Sequence, residues 1–242
     1  MDRYKHLHLW MLIPMGIMQA GILFDYWGDF AENAWSVHVH YWLASVWYLF
    51  LIAQPWLVAN GRMAAHRTWG MIGLFIAGGV GWVALSMMHR DLVSATRAAA
   101  EPEAFGPFKP WFFHGVAVVE IVMIAAFLFA IVQAIRLRKQ IEEHAWWLIS
   151  TVFMIMMPAL ARGLQAVWFM IYGFEPDMSV MPPLYFSLGI IIALTLAAAA
   201  HMRKLRHPAT ILAIGVNAFS FLLEPIGRSP AVQALLTAAI KG

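Results

Sequence analysis

Residues 111–135 of this chain read WFFHGVAVVEIVMIAAFLFAIVQAI, and Glu120 is the only Asp, Glu, Lys or Arg among them. A helix needs about 20 apolar residues to cross a hydrocarbon core about 30 Å thick. The stretch is long enough, and the basic residues Arg136, Arg138 and Lys139 follow it. It therefore predicts a transmembrane helix whose C-terminal end carries positive charge.

Six other apolar stretches predict further spans, at about 8–25, 38–59, 67–88, 145–172, 183–202 and 209–224. The composition agrees with this, because 62% of the 242 residues are hydrophobic and 12% are charged. Soluble domains are about half apolar and about a quarter charged. We expect an all-α, polytopic transmembrane helix bundle with seven spans, or with six if the short 209–224 stretch is re-entrant or interfacial.

The basic residues are sorted by side of the membrane. Alternate segments between the spans hold ten of them, whereas most Asp and Glu side chains occupy the other segments. The ten are Arg3, Lys5, Arg62, Arg67, Arg136, Arg138, Lys139, Arg203, Lys204 and Arg206. The positive-inside rule then places the N-terminus in the cytoplasm, and we expect a bacterial cytoplasmic (inner) membrane. The same sorting explains the net charge of +3 without a nucleic-acid partner.

We expect a single transmembrane domain over residues 1–242, with an outer loop at 89–110 and a C-terminal interfacial segment at 225–242. In the third span Gly70, Gly73, Gly78 and Gly81 predict close packing against a neighbouring helix, since glycine lets two backbones approach. Pro14, Pro55 and Pro158 lie within spans and predict kinks.

Two charged residues, Glu120 and Arg162, fall deep inside spans, where neither can be placed in a loop. Glu120 lies about 13 Å and Arg162 about 15 Å from the same membrane boundary, at a rise of about 1.5 Å per residue. A charge at this depth costs at least a few kcal/mol, which pairing partly offsets. We therefore expect a structural ion pair between the two, with a proton or substrate relay, or an Arg162 that binds a lipid or cofactor acid group, as the alternatives.

Histidines mark the ends of several spans. His40, His89 and His114 fall near outer ends, and His66 and His144 fall near inner ends. Interfacial anchoring explains such positions, but two imidazoles from different helices can also ligate a haem iron, and three can hold zinc or copper. These five residues are our candidate metal or cofactor ligands, with Arg162 as a further cofactor-binding group. The cofactor itself stays unknown, with haem b as one candidate.

Some classes of function are excluded or left unsupported. The chain contains no Cys, which rules out disulfides, thiolate metal sites and cysteine nucleophiles. The sequence contains no P-loop, dinucleotide-binding fingerprint, nucleophile elbow or HExxH motif. We assign no catalytic residue, and whether the chain is an enzyme stays open.

Two short elements resemble an uncharacterised family of bacterial multi-helix membrane proteins. The first is His66-Arg67-Thr68-Trp69-Gly70, which is similar to the family's HR-x-x-G element. The second is His144-Ala145-Trp146-Trp147 followed by Arg162, with Ala145 where the family commonly has Arg. The resemblance covers about residues 38–172 and implies that His66, Arg67, Gly70, His144 and Arg162 matter. Members have been compared loosely with haem-bearing four-helix cytochromes. Because His66 and His144 both lie at the cytoplasmic ends of their predicted spans, they are the first candidate ligand pair.

Three hypotheses for the function follow from the sequence. The leading one is an accessory or assembly subunit that packs against other membrane-protein subunits or pigments. The second is a b-type haem or quinone-linked electron-transfer protein. The third is a proton-coupled carrier that uses Glu120 and Arg162.

Overall fold

The computed structural model describes residues 4–241, so Arg3 of the basic set lies outside the described residues. Every regular element within residues 4–241 is helical. The α-helices are α1 (Leu7–Trp10), α2 (Leu12–Gly21), α3 (Trp35–Ala59), α4 (Met63–Ala100), α5 (Pro102–Phe105), α6 (Pro110–Arg136), α7 (Ile141–Ile155), α8 (Met157–Tyr172), α9 (Met181–Met202), α10 (Pro208–Ser220), α11 (Leu223–Gly227) and α12 (Pro230–Lys241). A π-helical segment, Leu23–Gly28, and a 3-10 turn, Phe30–Glu32, connect α2 to α3.

Five helices in the described part of the chain are long and apolar enough to cross a membrane, namely α3, α4, α6, the α7–α8 pair and α9. They coincide with five of the seven predicted spans, and the architecture is that of an integral membrane protein. The first predicted span is divided among α1, α2 and the π-helical segment, with breaks at Met11 and Ile22. The last is α10, whose 13 residues rise only about 20 Å. Membrane crossing by these two segments stays a prediction.

The C-terminal boundary of α4 differs from the expectation, whereas the kinks expected at the prolines stay a prediction. Residues 89–100, predicted as part of a loop, continue α4, because the run from Thr96 to Ala100 contains no helix breaker. Pro14 lies in the first turn of α2, where its missing N–H group costs little, and α3 runs through Pro55 unbroken. The predicted span 145–172 is interrupted next to Pro158, by the break at Met156 between α7 and α8.

The helices pack as a bundle with two chemically different ends. Within it α3 packs on α4, α4 on α6, α6 on α7 and α7 on α10, while α8 lies between α2 and α9. We call the end with the connections at residues 60–62, 137–140 and 203–207 the basic end, and the end with residues 22–34, 101–109 and 173–180 the acidic end. The C-terminal α12 packs at the acidic end, with Leu236 in contact with the α4 and α6 side chains Leu92 and Ala117.

Glu143 links α7 to the α9–α10 connection at the basic end. Its carboxylate accepts hydrogen bonds from Lys204 Nζ at 2.6 Å and from His207 Nε2 at 2.7 Å. His207 Nδ1 accepts the backbone N–H of Ala209, so the ring proton is on Nε2 and points at the carboxylate. This contact fixes the start of α10 against α7.

The glycines of α4 divide into two groups. A Cβ atom at Gly73 would lie 2.2 Å from the Phe50 ring, and one at Gly81 would lie 3.3 Å from Leu128. At Gly70 and Gly78 a Cβ atom would meet nothing within 4 Å. The expected close packing therefore does not occur at Gly70 and Gly78 in the described residues, because these two positions face away from the bundle.

Candidate functional site

A cavity of about 90 Å³ lies between α2, α3, α4, α6 and the α7–α8 break. One water molecule needs about 10–15 Å³ on the same scale, so the cavity has room for several. Its ionisable lining side chains are His40, Tyr41, Tyr48, Arg90, Asp91, Glu120 and Arg162. A set of this kind inside a helix bundle of a membrane protein is expensive and indicates a functional site.

Arg162 is held by a three-residue network at the wall of this cavity. Its Nη1 donates to Asp25 Oδ2 at 2.8 Å and to Tyr41 Oη at 3.2 Å. The Tyr41 hydroxyl in turn donates a hydrogen bond to the same Asp25 oxygen. The Asp25 carboxylate therefore neutralises Arg162, and about two-fifths of each of these two side chains stays accessible to water.

The chain folds locally so that Asp25 reaches Arg162. A Cβ atom at Gly21 would lie 2.4 Å from the Ala159 carbonyl oxygen, and one at Gly163 would lie 2.7 Å from the Gly21 Cα. These two glycines thus let α2 and α8 cross in backbone contact. Asp25 follows Gly21 by four residues, about one helical turn, and Arg162 directly precedes Gly163.

Glu120 enters the cavity from α6 and lacks the partner expected for it. Its Oε2 atom is buried and makes no hydrogen bond within the described residues. Asp91 and Arg162 act on it electrostatically, but no ion pair joins Glu120 to Arg162 in this part of the chain. The predicted structural pair Glu120–Arg162 is therefore corrected to Arg162–Asp25. The crossing of α2 and α8 places Asp25 in direct contact with the guanidinium group.

The charges around the cavity do not balance. Three carboxyl groups, of Asp25, Asp91 and Glu120, face two guanidinium groups, of Arg90 and Arg162. Asp25 is paired with Arg162, whereas Asp91 forms no ion pair within the described residues and is acted on by both Arg162 and Arg90. Asp91 and Glu120 are thus the two carboxyl groups around the cavity that have no ion-pair partner in the described part of the chain.

The structure separates the outer histidines that were expected to converge on a metal. His40 lines the cavity, His89 is exposed, and His114 is buried with its Nδ1 bonded to the Pro110 carbonyl oxygen at 2.9 Å. Within residues 4–241 no group of three or more His, Cys, Asp or Glu side chains is arranged to hold a metal ion. The outer three-histidine zinc or copper site therefore has no geometric support.

His66 and His144 lie near each other at the basic end, within range of mutual electrostatic interaction. His144 Nδ1 donates to the Ala134 carbonyl oxygen at 2.8 Å, which leaves the lone pair on Nε2. His66 Nδ1 is buried and unbonded, and so are both side-chain polar atoms of Gln54. Each of the two imidazole rings thus has one nitrogen atom without a hydrogen bond in the described residues. A haem or metal role for the pair stays a prediction.

A comparison with known proteins gives no matching family model, no matching curated protein and no matching solved structure. The resemblance of the His66 and His144 elements to a family therefore stays an expectation. The function has to be argued from the cavity itself.

Five residues at the site were missed in the sequence, namely Asp25, Tyr41, Tyr48, Arg90 and Asp91. Asp25 and Asp91 fall at the ends of apolar stretches, where a loop carboxylate is the ordinary interpretation. Tyr41 matches the interfacial aromatic belt expected at a span end. The one available signal is that Asp25 follows the first apolar stretch without any intervening polar residue.

Proposed function

We propose that this chain is an integral membrane protein that moves protons, acting as a proton-coupled carrier, and that Glu120 is its proton-binding group. The observation that carries this is the buried, unbonded Glu120 carboxyl oxygen in a cavity that also holds Asp91 and Arg162. The cavity has room for the water molecules that would deliver a proton.

The surroundings of Glu120 determine how stable a negative charge on its carboxyl group is. An ionised carboxylate in a poorly solvated site is costly when it has neither hydrogen bonds nor a counter-ion, and a second carboxylate nearby adds repulsion. A proton on Glu120 removes the charge and the repulsion from Asp91 together. Arg162, already neutralised by Asp25, offsets the ionised form only in part. Both protonation states of Glu120 are thus within reach, as a carrier requires.

The proposal includes an orientation. We infer that the segment containing α1 and α2 and the segment formed by α10 and α11 complete seven crossings. The basic end then faces the cytoplasm of a bacterial inner membrane, and the cavity opens toward the outside. The distribution of Lys and Arg between the two ends supports this placement.

Proton movement in liposomes containing the purified protein tests the proposal. A potassium gradient with valinomycin sets the membrane potential, and an enclosed pH-sensitive dye reports proton uptake. We expect the wild-type protein to accelerate uptake and Glu120→Gln, which keeps the shape but cannot ionise, to reduce it to the rate of protein-free liposomes. The matched control is Glu101→Gln, an exposed acid outside the cavity, which should retain the wild-type rate. Equal rates for wild type and Glu120→Gln would overturn the proposal.

The accessory-subunit hypothesis stays a prediction with one observation in its favour. The α4 face that contains Gly70 and Gly78 is uncovered, and Phe75 and Trp82 on the same helix are 81% and 75% exposed. Blue-native electrophoresis of solubilised membranes tests it, and a free monomer as the only species would contradict it. The haem hypothesis is tested by the optical spectrum of the dithionite-reduced protein, where missing Soret and α bands would exclude haem.

A further inference from the structure

The contacts of Arg162 raise the question of why it does not pair with Glu120. Both side chains line the same cavity, and they interact electrostatically. Their charges are opposite when Glu120 is ionised. Arg162 is instead bonded to Asp25 and Tyr41, and Glu120 Oε2 has no hydrogen-bond partner in the described part of the chain. Three carboxylates, of Asp25, Asp91 and Glu120, therefore compete for this guanidinium group, and Asp25 holds it.

Pairing with Arg162 would change what Glu120 can do. A guanidinium–carboxylate contact strongly stabilises the ionised carboxylate, because the hydrogen bonds are charge-assisted. A Glu120 paired in this way would release its proton and not regain it near neutral pH. Proton exchange needs an unpaired Glu120. Glu120 thus stays available only while Arg162 is bonded to another carboxylate.

Tyr41 strengthens the hold of Asp25 on Arg162. Its hydroxyl donates to the Asp25 oxygen that Arg162 contacts, and its own oxygen accepts from the same Arg162 nitrogen. The Tyr41 side chain is buried, which fixes its hydroxyl group in position beside Asp25 and Arg162. The backbone contact of Gly21 with α8 fixes the base of this arrangement.

From these contacts we propose that Asp25 is a positioning residue of the proton site, which keeps Arg162 away from Glu120 and so leaves Glu120 free to bind and release a proton. The inference rests on the proposed function, since it concerns the same carboxyl group. Tyr41 assists Asp25 by completing the contact with Arg162. In the absence of the Asp25 charge, Arg162 turns toward the cavity carboxyl groups of Glu120 and Asp91, and either contact favours the ionised form of Glu120.

Other charged and titratable groups line the cavity with Glu120 and contribute to its titration. They are Asp91 and Arg90 on α4, His40, Tyr41 and Tyr48 on α3, and Arg162 on α8. Variants of Asp25 alter none of these side chains, so a change in the titration of Glu120 reports on Asp25 and on the position of Arg162.

Infrared spectroscopy of the purified protein in lipid measures the titration without requiring transport. The carboxylic-acid band that Glu120→Gln removes gives the pH at which half of Glu120 is protonated. We expect Asp25→Asn to move that midpoint to lower pH by about one unit or more, because an opposite charge beside a carboxyl group has an effect of this size. Asp25→Glu, which keeps the charge, should return the midpoint toward the wild-type value.

A double-variant cycle separates positioning from the direct field of Asp25. If Asp25 acts by holding Arg162, then Asp25→Asn should move the midpoint by no more than about 0.3 unit once Arg162→Gln is present. An equal shift with and without Arg162 would show that Asp25 acts through its own charge and would overturn the proposal. An unchanged midpoint in Asp25→Asn would overturn it as well.

A further variant covers the case in which Asp25→Asn does not fold. Tyr41→Phe removes one contact of Asp25 and one of Arg162 but leaves both charges, and we expect a smaller shift of the midpoint in the same direction. A folded Tyr41→Phe protein with the wild-type midpoint would contradict the proposal. A wild-type protein without a band that depends on Glu120 would contradict the proposed function instead, which keeps the two failures distinct.

Discussion

Glu143 shows how much a single residue contributes at the basic end of the bundle. Its carboxylate is the acceptor for Lys204 and His207, whose side chains are 15% and 7% exposed. A buried donor that loses its acceptor costs about 1–3 kcal/mol. The His207 side chain is the more deeply buried of the two donors, whereas the Lys204 side chain retains more accessible surface.

We expect Glu143→Ala to lower the free energy of unfolding by about 2 kcal/mol, mostly through the unpaired His207. Equilibrium unfolding of the purified protein in detergent micelles measures this. The adjacent Glu142 is the matched control, since its side chain is 53% exposed and lies 4.0 Å from Lys204. Glu142→Ala should change the free energy by less than about 0.5 kcal/mol. Equal effects of the two substitutions would show that the Glu143 contacts add nothing beyond a surface charge.

The crossing of α2 and α8 is the element on which the candidate site depends. The backbone atoms of Gly21 on α2 and Gly163 on α8 are in contact. Asp25 lies four residues after Gly21, and Arg162 directly precedes Gly163. Because backbone atoms cannot move aside as a side chain can, a methyl group at the crossing must push the two helices apart. Separation of α2 from α8 would also move Asp25 away from Arg162.

We expect Gly21→Ala to destabilise the protein by about 1–3 kcal/mol, the usual cost of overpacking. Gly16 lies on the same helix, and a methyl group added there would meet nothing within 4 Å, so Gly16→Ala is the matched control. That substitution should be neutral or should stabilise α2 by up to about 1 kcal/mol, because alanine is the better helix former. Thermal unfolding of both variants in the same detergent gives the comparison. A Gly21→Ala protein as stable as Gly16→Ala would disprove the tight crossing.

Sequence patterns predict some of these elements and miss others for identifiable reasons. The long apolar runs of α3, α4, α6 and α9 follow from hydropathy alone, since a lipid-facing helix must be apolar along its length. Glu120 and Arg162 stand out for the same reason. The contact of Arg162 with Asp25 joins residues 137 positions apart, and it depends on the direction in which α2 crosses α8. No local periodicity encodes that direction, so the sequence favoured Glu120 as the partner.

At the scale of the whole molecule, the distribution of charged residues between the two ends predicts the orientation of the bundle in a membrane. The five long helices place the connections at residues 60–62, 137–140 and 203–207 at one end. The positive-inside rule predicts that this end faces the cytoplasm. If the N-terminal segment also crosses the membrane, Lys5 lies on the same side as the three basic connections.

The absence of cysteine makes this testable, because any introduced cysteine is the only thiol in the chain. We expect Glu103→Cys and Asp177→Cys at the acidic end to react with a membrane-impermeant maleimide in spheroplasts. Asn60→Cys and Gln140→Cys at the basic end should react only after the membrane is permeabilised. All four positions are exposed, so that burial in the protein does not limit the reaction.

Lys5→Cys then decides the number of crossings. If the segment from Leu7 to Gly28 crosses the membrane, Lys5→Cys should behave like Asn60→Cys and react only after permeabilisation. Labelling of Lys5→Cys in intact spheroplasts, with the other four positions as expected, would place the N-terminus outside and remove the first span. Asp25 would then lie on a helix that enters from the outer side without crossing, and the cavity would be open to that side along α2. The same five variants therefore test both the orientation and the solvent access on which proton exchange at Glu120 depends.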